Sequence, residues 1–382
     1  MPWDWKWVRR SILVRGAELE RVEVPVYRST GGPLFKTLLY SGCRMDCRYC
    51  PFSRLCRVPR DRWLPEKLVR VFLEAYRQGV VRGLFLSSGL PRDPEEVSEE
   101  LVAVARKLRR CGYRGYLALR LMPGTPGWLV QEALRVADRV GLNLEAPGEA
   151  AFSEIAPSKG SWSLDLYSRL LLAAEYAGHP RRVSTQFVVG AAGETDLELL
   201  RVTEALHRAG VGVVHYSAYT PYPGTPLAEK GVPPAPQWRT RLLYQASRLI
   251  RDYGYAVREI EPLLNDRGML SRLGKSLKEA LAEAHPEWFP VNPLEAGLRE
   301  LLRVPGIGHT AARRIIEARR EGRLTTLVLQ RILGPQRFRR VARFLDLTGL
   351  PGPRLPLPSG AASHQAWLDD SSGGGTVSPS SA

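Results

Sequence analysis

Cysteine is scarce in this sequence of 382 residues, which has five in all. An odd number cannot be fully paired, and this density is too low for a disulfide framework to be the main source of stability. Long apolar runs and an apolar segment typical of a secretion signal are also missing. We therefore expect a soluble cytoplasmic protein in a reducing compartment, with no membrane partner.

Acidic residues are also in short supply. The 39 Asp and Glu face 55 Lys and Arg, which gives a formal net charge of +16. Half of this excess lies between Gly297 and Gly349, where twelve arginines accompany four acidic residues. This charge favours an anionic partner. Nucleic acid ranks ahead of a membrane, because no amphipathic helix with an aromatic apolar face accompanies the arginines.

Three of the five cysteines, Cys43, Cys47 and Cys50, form a Cys-x3-Cys-x2-Cys cluster. Three thiolates this close can bind three irons of a 4Fe-4S cluster and leave the fourth iron open to a small molecule, whereas ferredoxins add a fourth cysteine. Cys56 follows closely, so a structural zinc site with four cysteines is an alternative. Cys111 stands alone, and for it and Cys56 a buried structural role is the common one.

From Leu34 to Ser217, short apolar runs alternate with amphipathic ones. The pattern predicts strands over 34–40, 83–88, 115–121, 139–145, 184–189 and 211–217. It predicts helices over 65–78, 95–110, 127–137, 164–177 and 196–209. Such alternation indicates an α/β fold with a parallel sheet, whose sites lie at the carboxyl ends of the strands. Further along, we expect a helix over 239–252 and a strand over 255–260.

Unusual residues follow the predicted strands at this edge. Glu145 ends an apolar strand, and a carboxylate there suits a cationic amine or ribose hydroxyls, although a surface acid is the simpler alternative. Glycines in the same places allow close backbone approach, although ordinary turns also contain them. The candidate residues other than Glu145 are Ser88, Gly89, Lys159, Gly190, Gly193 and Glu194. Lys159 could equally be an exposed loop lysine.

The segment Leu301–Gly322 places Pro-Gly-Ile-Gly between two helical patterns and resembles a helix-hairpin-helix. A tight glycine turn of this kind presents backbone N–H groups to a phosphate at a helix N-terminus. A turn within a small helical bundle is the alternative. The candidate nucleic-acid-binding residues are Gly306, Gly308, Arg313, Arg314, Arg319 and Arg320. Such hairpins contact phosphates rather than base edges, so sequence specificity is not implied.

The run YSGCRMDCRYC resembles the signature of the radical S-adenosylmethionine (radical SAM) superfamily. With GLFLSSG, ADRVGLNLEAP, TQFVVGAAGETD and LLRVPGIG, the chain resembles the uracil-DNA-glycosylase-linked radical SAM proteins. The resemblance implies a partial (β/α)6 TIM-type barrel followed by a small all-α helix-hairpin-helix domain. The implied domains are an N-terminal extension (1–33), the barrel (34–225), a helical crossover (226–295), the nucleic-acid-binding domain (296–350) and a disordered tail (351–382). Within the extension, Trp3, Trp5 and Trp7 alternate with polar residues and suggest one extra strand.

The resemblance also implies cofactors and roles. The three cysteines would bind a 4Fe-4S cluster whose open iron is chelated by S-adenosylmethionine, with Tyr49 against the adenine. Ser88 and Gly89 would face the cofactor ammonium, although Ser-Ser-Gly replaces the common Gly-Gly-Glu. Lys159 is the candidate partner of the cofactor carboxylate. The remaining cofactor contacts implied are Gly190, Gly193 and Glu194.

The implied function is reductive cleavage of S-adenosylmethionine to a 5′-deoxyadenosyl radical for DNA modification or repair. It requires duplex DNA and an electron donor as partners, with a uracil-DNA glycosylase as a candidate functional partner. One alternative is a radical SAM enzyme acting on tRNA or a small molecule, although methylthiolation of tRNA is disfavoured because it needs a second three-cysteine cluster. The other is a non-enzymatic iron–sulfur or zinc protein that binds DNA.

Overall fold

Eight strands form one sheet in the computed structural model, which describes residues 10–16, 19–29 and 31–352. Each strand pairs with its neighbours in sequence order. The strands are β1 (Arg10–Gly16), β2 (Leu19–Ser29), β3 (Gly32–Leu38), β4 (Gly83–Ser87), β5 (Tyr116–Arg120), β6 (Arg139–Gly141), β7 (Val183–Val189) and β8 (Val213–Ala218). From β3 to β8 every pairing is parallel, so the six predicted strands and their parallel arrangement are confirmed.

The N-terminal extension differs from the expectation of one extra strand. Both β1 and β2 are present, and they add an antiparallel hairpin to the edge of the sheet at β3. In the segment 19–29, the β-branched Val22, Val24 and Val26 stand at alternate positions, a pattern that suits a strand, and this is the physical reason for the second one. The tryptophans at positions 3, 5 and 7 lie outside the described residues.

Helices fill the connections between parallel strands, as predicted. They are α1 (Pro65–Arg77), α2 (Pro94–Arg110), α3 (Gly127–Val136), α4 (Glu149–Ile155), α5 (Ser168–Tyr176) and α6 (Asp196–Arg208). The helix expected over 164–177 begins as a π-helix, Trp162–Tyr167, and continues as α5. Beyond the sheet come α7 (Pro226–Glu229), α8 (Gln237–Tyr253) and α9 (Val257–Ile260). Short 3₁₀ turns lie at Pro180–Arg182 and Glu261–Leu263.

The strand expected over 255–260 is wrong, because these residues include helix α9. Gly254 ends α8 in a left-handed conformation (φ 73°) and reverses the chain. The Ala256 N–H then donates to the Glu259 carboxylate at 2.7 Å, which starts a new helical turn. Val257 and Ile260 are buried three residues apart, a spacing that serves a helical turn as well as an apolar run.

One face of the parallel strands packs against the helices. Phe35 of β3 is fully buried, and its ring centre lies 6.1 Å from that of Phe72 in α1. On β8, Tyr216 donates to or accepts from Thr203 of α6 at 2.6 Å. Because successive strand residues point to opposite faces, the intervening residues point into the curved interior.

The described residues divide into two compact units, which meet in the sequence between Leu277 and Lys278. This position lies inside the segment assigned to the crossover. After α10 (Leu277–Ala284) the second unit contains α11 (Leu298–Arg303), α12 (His309–Arg320), α13 (Thr326–Leu333) and α14 (Pro335–Val341), with 3₁₀ turns at Pro286–Trp288 and Ala342–Phe344. Three short connections separate these last four helices, at 304–308, 321–325 and 334. In the described part of the chain, no helix has both the length and the apolar character needed to cross a membrane.

Candidate functional site

The loop between β3 and α1 carries the three-cysteine cluster and is fixed at several points. The Arg44 N–H donates to the Leu90 carbonyl (2.8 Å), beyond the end of β4. The Arg48 N–H donates to the Ile155 carbonyl (2.7 Å) at the end of α4. Asp46 accepts from the Ser158 hydroxyl at 2.7 Å. These contacts fix the cysteine loop at the carboxyl edge of the sheet, as the sequence predicted for a parallel fold.

The three thiols of the loop influence one another. Cys47 is 7% exposed, and Cys43 and Cys50 are partly exposed. Burial raises the pKa of Cys47 and of Cys43, the nearby Cys50 thiol raises both further, and the Lys159 ammonium lowers both. Bound iron would remove this cost, because a coordinated thiol is deprotonated.

No three His, Cys, Asp or Glu side chains among residues 10–16, 19–29 and 31–352 close on a single-ion site. A 4Fe-4S cluster has a different requirement, because each cysteine binds a different iron of a body much larger than one ion. Three soft sulfur donors on one anchored loop suit that group. Cys43, Cys47 and Cys50 are therefore a donor set that fits the cluster.

Cys56 has other partners. Its thiol donates to the Gly224 carbonyl at 3.2 Å and lies in the interior at 6% exposure. The Arg60 guanidinium donates to the carbonyls of Cys56 (2.8 Å) and Ser53 (2.7 Å). Cys56 thus links the cysteine loop to the segment after β8, in the structural role that is usual for a buried cysteine. Cys111 is exposed at the end of α2.

Glu145 and Lys159 form a buried ion pair beside the cysteines. The Lys159 ammonium donates to Glu145 Oε1 at 2.5 Å, and the two side chains are 15% and 3% exposed. Burial alone raises the pKa of Glu145, but the charge and hydrogen bond of Lys159 outweigh it and the pKa is lowered. The pKa of Lys159 is raised, because Glu145 outweighs the opposite effect of burial. Tyr49, fully enclosed, also lowers the pKa of Glu145 through its hydroxyl.

Two features make Glu145 unusual. Its φ of 64° is the left-handed value that few residues other than glycine adopt, and no other non-glycine residue in the described ranges has it. Its second carboxylate oxygen, Oε2, is buried and accepts no hydrogen bond of normal geometry from the described residues. Strain and an unsatisfied buried oxygen are features that cluster at ligand sites. The oxygen is available to a donor such as an amine or a hydroxyl.

The segment after Glu145 holds Lys159 firmly. The Trp162 N–H donates to the Glu149 carboxylate at 3.0 Å, and the Trp162 indole N–H donates to the Ala146 carbonyl at 2.8 Å. Gly160 has φ 100°, and a Cβ there would lie 2.6 Å from Asp165 Oδ2. The π-helix that follows is a rare element, frequent at functional sites. These contacts fix the turn that carries Lys159, which is not the exposed loop lysine of the simpler alternative.

Ser88 and Gly89 contact the chain just before the cysteines. The Gly89 N–H donates to the Tyr40 carbonyl at 2.6 Å, and the Ser88 hydroxyl accepts from the Tyr40 N–H at 3.3 Å. A Cβ on Gly89 would collide with the carbonyl oxygen of Gly42. Glycine is therefore needed so that the end of β4 can lie against the cysteine loop. Contact of this pair with a cofactor stays a prediction.

The loop after β7 is shaped by Glu194. Gly190 and Gly193 have φ of 85° and 72°, which favour glycine. The Glu194 carboxylate accepts from the N–H groups of Gly190 (2.5 Å) and Ala192 (3.2 Å). Arg239 of α8 donates to the Glu194 carbonyl at 2.8 Å. Both carboxylate oxygens of Glu194 therefore stabilise its own loop, and a direct cofactor contact stays a prediction.

The second unit brings the predicted basic residues onto α12. Arg313, Arg314 and Arg320 are exposed. Arg319 is partly buried, and its guanidinium donates to the carbonyls of Ala296 (2.8 Å) and Pro293 (3.3 Å). Gly308 precedes α12 and gives its first turn no side-chain cap. Uncapped amide groups suit an anion, so a role of this turn in binding phosphate stays a prediction.

A family model, described as Radical SAM superfamily, matches residues 37–214. The match runs from β3 into β8 and includes the cysteine loop, Glu145 and Lys159. Residues 37–214 form a radical SAM domain.

Two curated relatives resemble this domain. The tRNA-2-methylthio-N(6)-dimethylallyladenosine synthase of Chloroflexus aurantiacus is 24% identical over 206 residues, covering 51% of this chain and 42% of the relative. The threonylcarbamoyladenosine tRNA methylthiotransferase MtaB of Thermotoga maritima is 25% identical over 222 residues, covering 55% and 50%. The chain thus spans about half the length of these relatives. Among solved structures, the FeFe-hydrogenase maturase HydG of Carboxydothermus hydrogenoformans has a TM-score of 0.47 and 13% sequence identity. The match covers 78% of this chain and 80% of HydG.

The radical SAM domain also holds polar residues that sequence analysis missed. Lys36 of β3, Arg120 of β5 and His215 of β8 alternate with residues that pack on the helices. The signal was present, since a charged residue within an otherwise apolar strand is uncommon. In LFKTLL and VVHYSA, the alternation along the strand places Lys36 and His215 on the face opposite their immediate neighbours. Only the assembled sheet shows whether that face points into the interior or packs on the helices.

Proposed function

We propose that the protein is a radical SAM enzyme that reductively cleaves S-adenosylmethionine and acts on duplex DNA, in modification or repair. The observation that carries the enzymatic part is the three-cysteine loop, anchored beside the buried Glu145–Lys159 pair within the radical SAM domain. When bound, the cluster and S-adenosylmethionine supply an electron and a leaving group that allow hydrogen-atom abstraction from a substrate.

The chain's own residues would bind and orient these groups. Cys43, Cys47 and Cys50 would hold the cluster and leave one iron without a protein ligand. Glu145 Oε2 would accept a hydrogen bond from the cofactor amine or ribose, which would satisfy a buried oxygen that accepts no hydrogen bond of normal geometry from the described residues. Lys159, whose charge acts on Cys43 and Cys47, is the candidate cation for the cofactor carboxylate, and binding there would share it with Glu145.

The nucleic-acid part of the proposal is supported by charge. The exposed Arg313, Arg314 and Arg320 follow a glycine turn on one helix of a unit with a large excess of arginine. Phosphates are the expected ligands of such a surface. An electron donor would be required as a partner, and a uracil-DNA glycosylase is a candidate functional partner.

Transfer RNA is a second candidate substrate, favoured by the names of both curated relatives. Outside the three-cysteine loop this sequence has Cys56, which is held by the Gly224 carbonyl, and Cys111, which is exposed on the surface.

Anaerobic turnover tests the proposal. The reconstituted protein, a reductant and S-adenosylmethionine should yield 5′-deoxyadenosine, measured by liquid chromatography, and Cys47→Ala should yield none. With duplex DNA or tRNA added, mass spectrometry of the digested nucleosides should show a mass change in DNA. A change in tRNA alone would favour the second candidate, and no cleavage of S-adenosylmethionine would overturn the enzymatic proposal.

A further inference from the structure

A cationic cluster lies on the inner face of the sheet. It consists of Lys36 on β3, Arg120 on β5 and His215 on β8. Phe35 packs on α1, and the ring of Tyr216 lies 5.2 Å from that of Tyr244 on α8. Because neighbours along a strand point to opposite faces, Lys36 and His215 point into the interior.

Arg120 is held in place across β6. Its Nη1 donates to the carbonyl (2.8 Å) and the hydroxyl (2.9 Å) of Ser184 on β7. Gly141 of β6 makes room for it, since a Cβ at that position would collide with Arg120 Nη1. Arg120 is 4% exposed, and its Nε–H is buried without a hydrogen-bond acceptor in the described part of the chain. A buried charged donor left unsatisfied is costly, and this is the strongest sign of a missing ligand.

Phe85 lies between the two cations. The Lys36 ammonium is 4.9 Å from the centre of its ring, and the Arg120 guanidinium carbon is 5.7 Å from it. Burial and the charge of Arg120 lower the pKa of Lys36 to about 7. Burial, and after it Arg120 and other cations, lowers the pKa of His215 to about 3. Burial is the larger cause of both shifts, and the charge of Arg120 adds to it.

Burial lowers the pKa of Arg120. The carboxylate with the largest opposing effect is Glu145, whose charge raises this pKa but does not offset the effect of burial. Glu145 already pairs with Lys159 at 2.5 Å. Lys36, Phe85 and His215 keep part of their surface accessible although they lie inside the sheet. Arg120 therefore has no carboxylate partner of its own in the described part of the chain, and a buried cation of this kind beside an accessible space suits an anionic ligand.

We propose that Lys36 and Arg120 bind an anionic group of the substrate, a phosphate or a carboxylate, inside the barrel. This inference rests on the proposed function, because it names the substrate chemistry of that same site. The Arg120 guanidinium would donate its Nε–H to the anion and contribute its charge. Lys36 would contribute a second positive charge from the other side of Phe85. The neutral His215 would offer a hydrogen bond without adding charge.

The test is calorimetric titration of the anaerobically reconstituted full chain. The probes are inorganic phosphate, deoxyuridine 5′-monophosphate, deoxyuridine and succinate, each with and without S-adenosylmethionine. Lys36→Met removes a positive charge and keeps a side chain of similar length. Arg120→Lys keeps the positive charge but removes the planar guanidinium. Lys67→Met, on the exposed face of α1, is the matched control. We expect both interior variants to weaken anion binding about tenfold or more, with no effect of the control.

The probes distinguish the source of the anion. Tighter binding of the monophosphate than of deoxyuridine would identify a nucleotide phosphate, and selective binding of succinate a small-molecule carboxylate. The inference is wrong if no anion binds, if the interior variants bind as the wild type does, or if S-adenosylmethionine displaces the anion, which would make this the cofactor's own carboxylate site. Lys36→Met removes a buried charge and should fold, which the unfolding temperature checks. Cleavage of S-adenosylmethionine without substrate tests the proposed function separately.

Discussion

The Glu145–Lys159 pair allows a quantitative prediction. Changing Lys159 to Met leaves the Glu145 carboxylate buried at 3% exposure, with one oxygen that has no hydrogen-bond partner among the described residues. Removing one member of a buried ion pair costs about 3–5 kcal/mol, because the remaining charge is uncompensated. Glu145→Gln should also destabilise, since it leaves the Lys159 ammonium inside. The double variant should cost far less than the two single costs together, with a coupling energy of about 2 kcal/mol or more.

The sign of the pH dependence follows from the shifts. The pKa of Glu145 is lowered, so its contribution is fully present above the unfolded value of 4.5 and is lost as the pH falls through the folded value. The pKa of Lys159 is raised, so its contribution is present below 10.5 and is lost as the pH rises through the folded value. In Lys159→Met, burial acts on Glu145 without the lysine and raises its pKa, so the penalty should grow as the pH rises above 4.5, level off above the raised value and shrink in acid.

Urea denaturation of the anaerobic, iron-free protein, followed by circular dichroism, measures these energies. The wild type, Lys159→Met, Glu145→Gln and the double variant should be compared at pH 7 and again near pH 4. The reasoning is refuted if Lys159→Met costs under about 1 kcal/mol, the range of an exposed pair. It is equally refuted if the two single costs simply add.

Three further predictions concern other parts of the chain. Gly89→Ala should destabilise by about 1–3 kcal/mol in thermal unfolding, because its Cβ meets the backbone of the cysteine loop. Gly306→Ala should cost a similar amount in urea denaturation, since φ is 89° and the new methyl would lie 2.8 Å from Val341; an unchanged midpoint would show that the turn adapts. Arg313→Gln with Arg314→Gln should lower the slope of log affinity for duplex DNA against log salt by about 1.8, as fluorescence anisotropy would show, if each contacts one phosphate.

The fold could be predicted largely from local patterns. Alternating apolar runs marked all six parallel strands and the helices between them except the short α4, because burial on one face leaves a periodic trace in the sequence. The prediction of a strand at 255–260 was wrong, since a few apolar residues fit a strand or one helical turn equally well. There the left-handed Gly254 and the hydrogen bond from the Ala256 N–H to the Glu259 carboxylate favour the helical turn.

The candidate site could be predicted only in part from the sequence. The cysteine loop was found because its ligands are close in sequence. The pairing of Lys159 with Glu145, the link from Arg239 to Glu194 and the position of Arg120 over Gly141 depend on strands and helices meeting in space. No local pattern encodes such contacts. Arg319 shows the same limit, since one of four similar arginines on α12 turns inward to bind carbonyl groups.

Electron paramagnetic resonance of the reduced, reconstituted protein, with and without S-adenosylmethionine, tests the central claim most directly. The wild type and Cys56→Ala should each bind about four irons per chain, with a spectrum that changes when S-adenosylmethionine is added. Cys43→Ala, Cys47→Ala and Cys50→Ala should lose both properties. Tightly bound zinc that requires Cys56, or an iron–sulfur spectrum that S-adenosylmethionine leaves unchanged, would contradict the account.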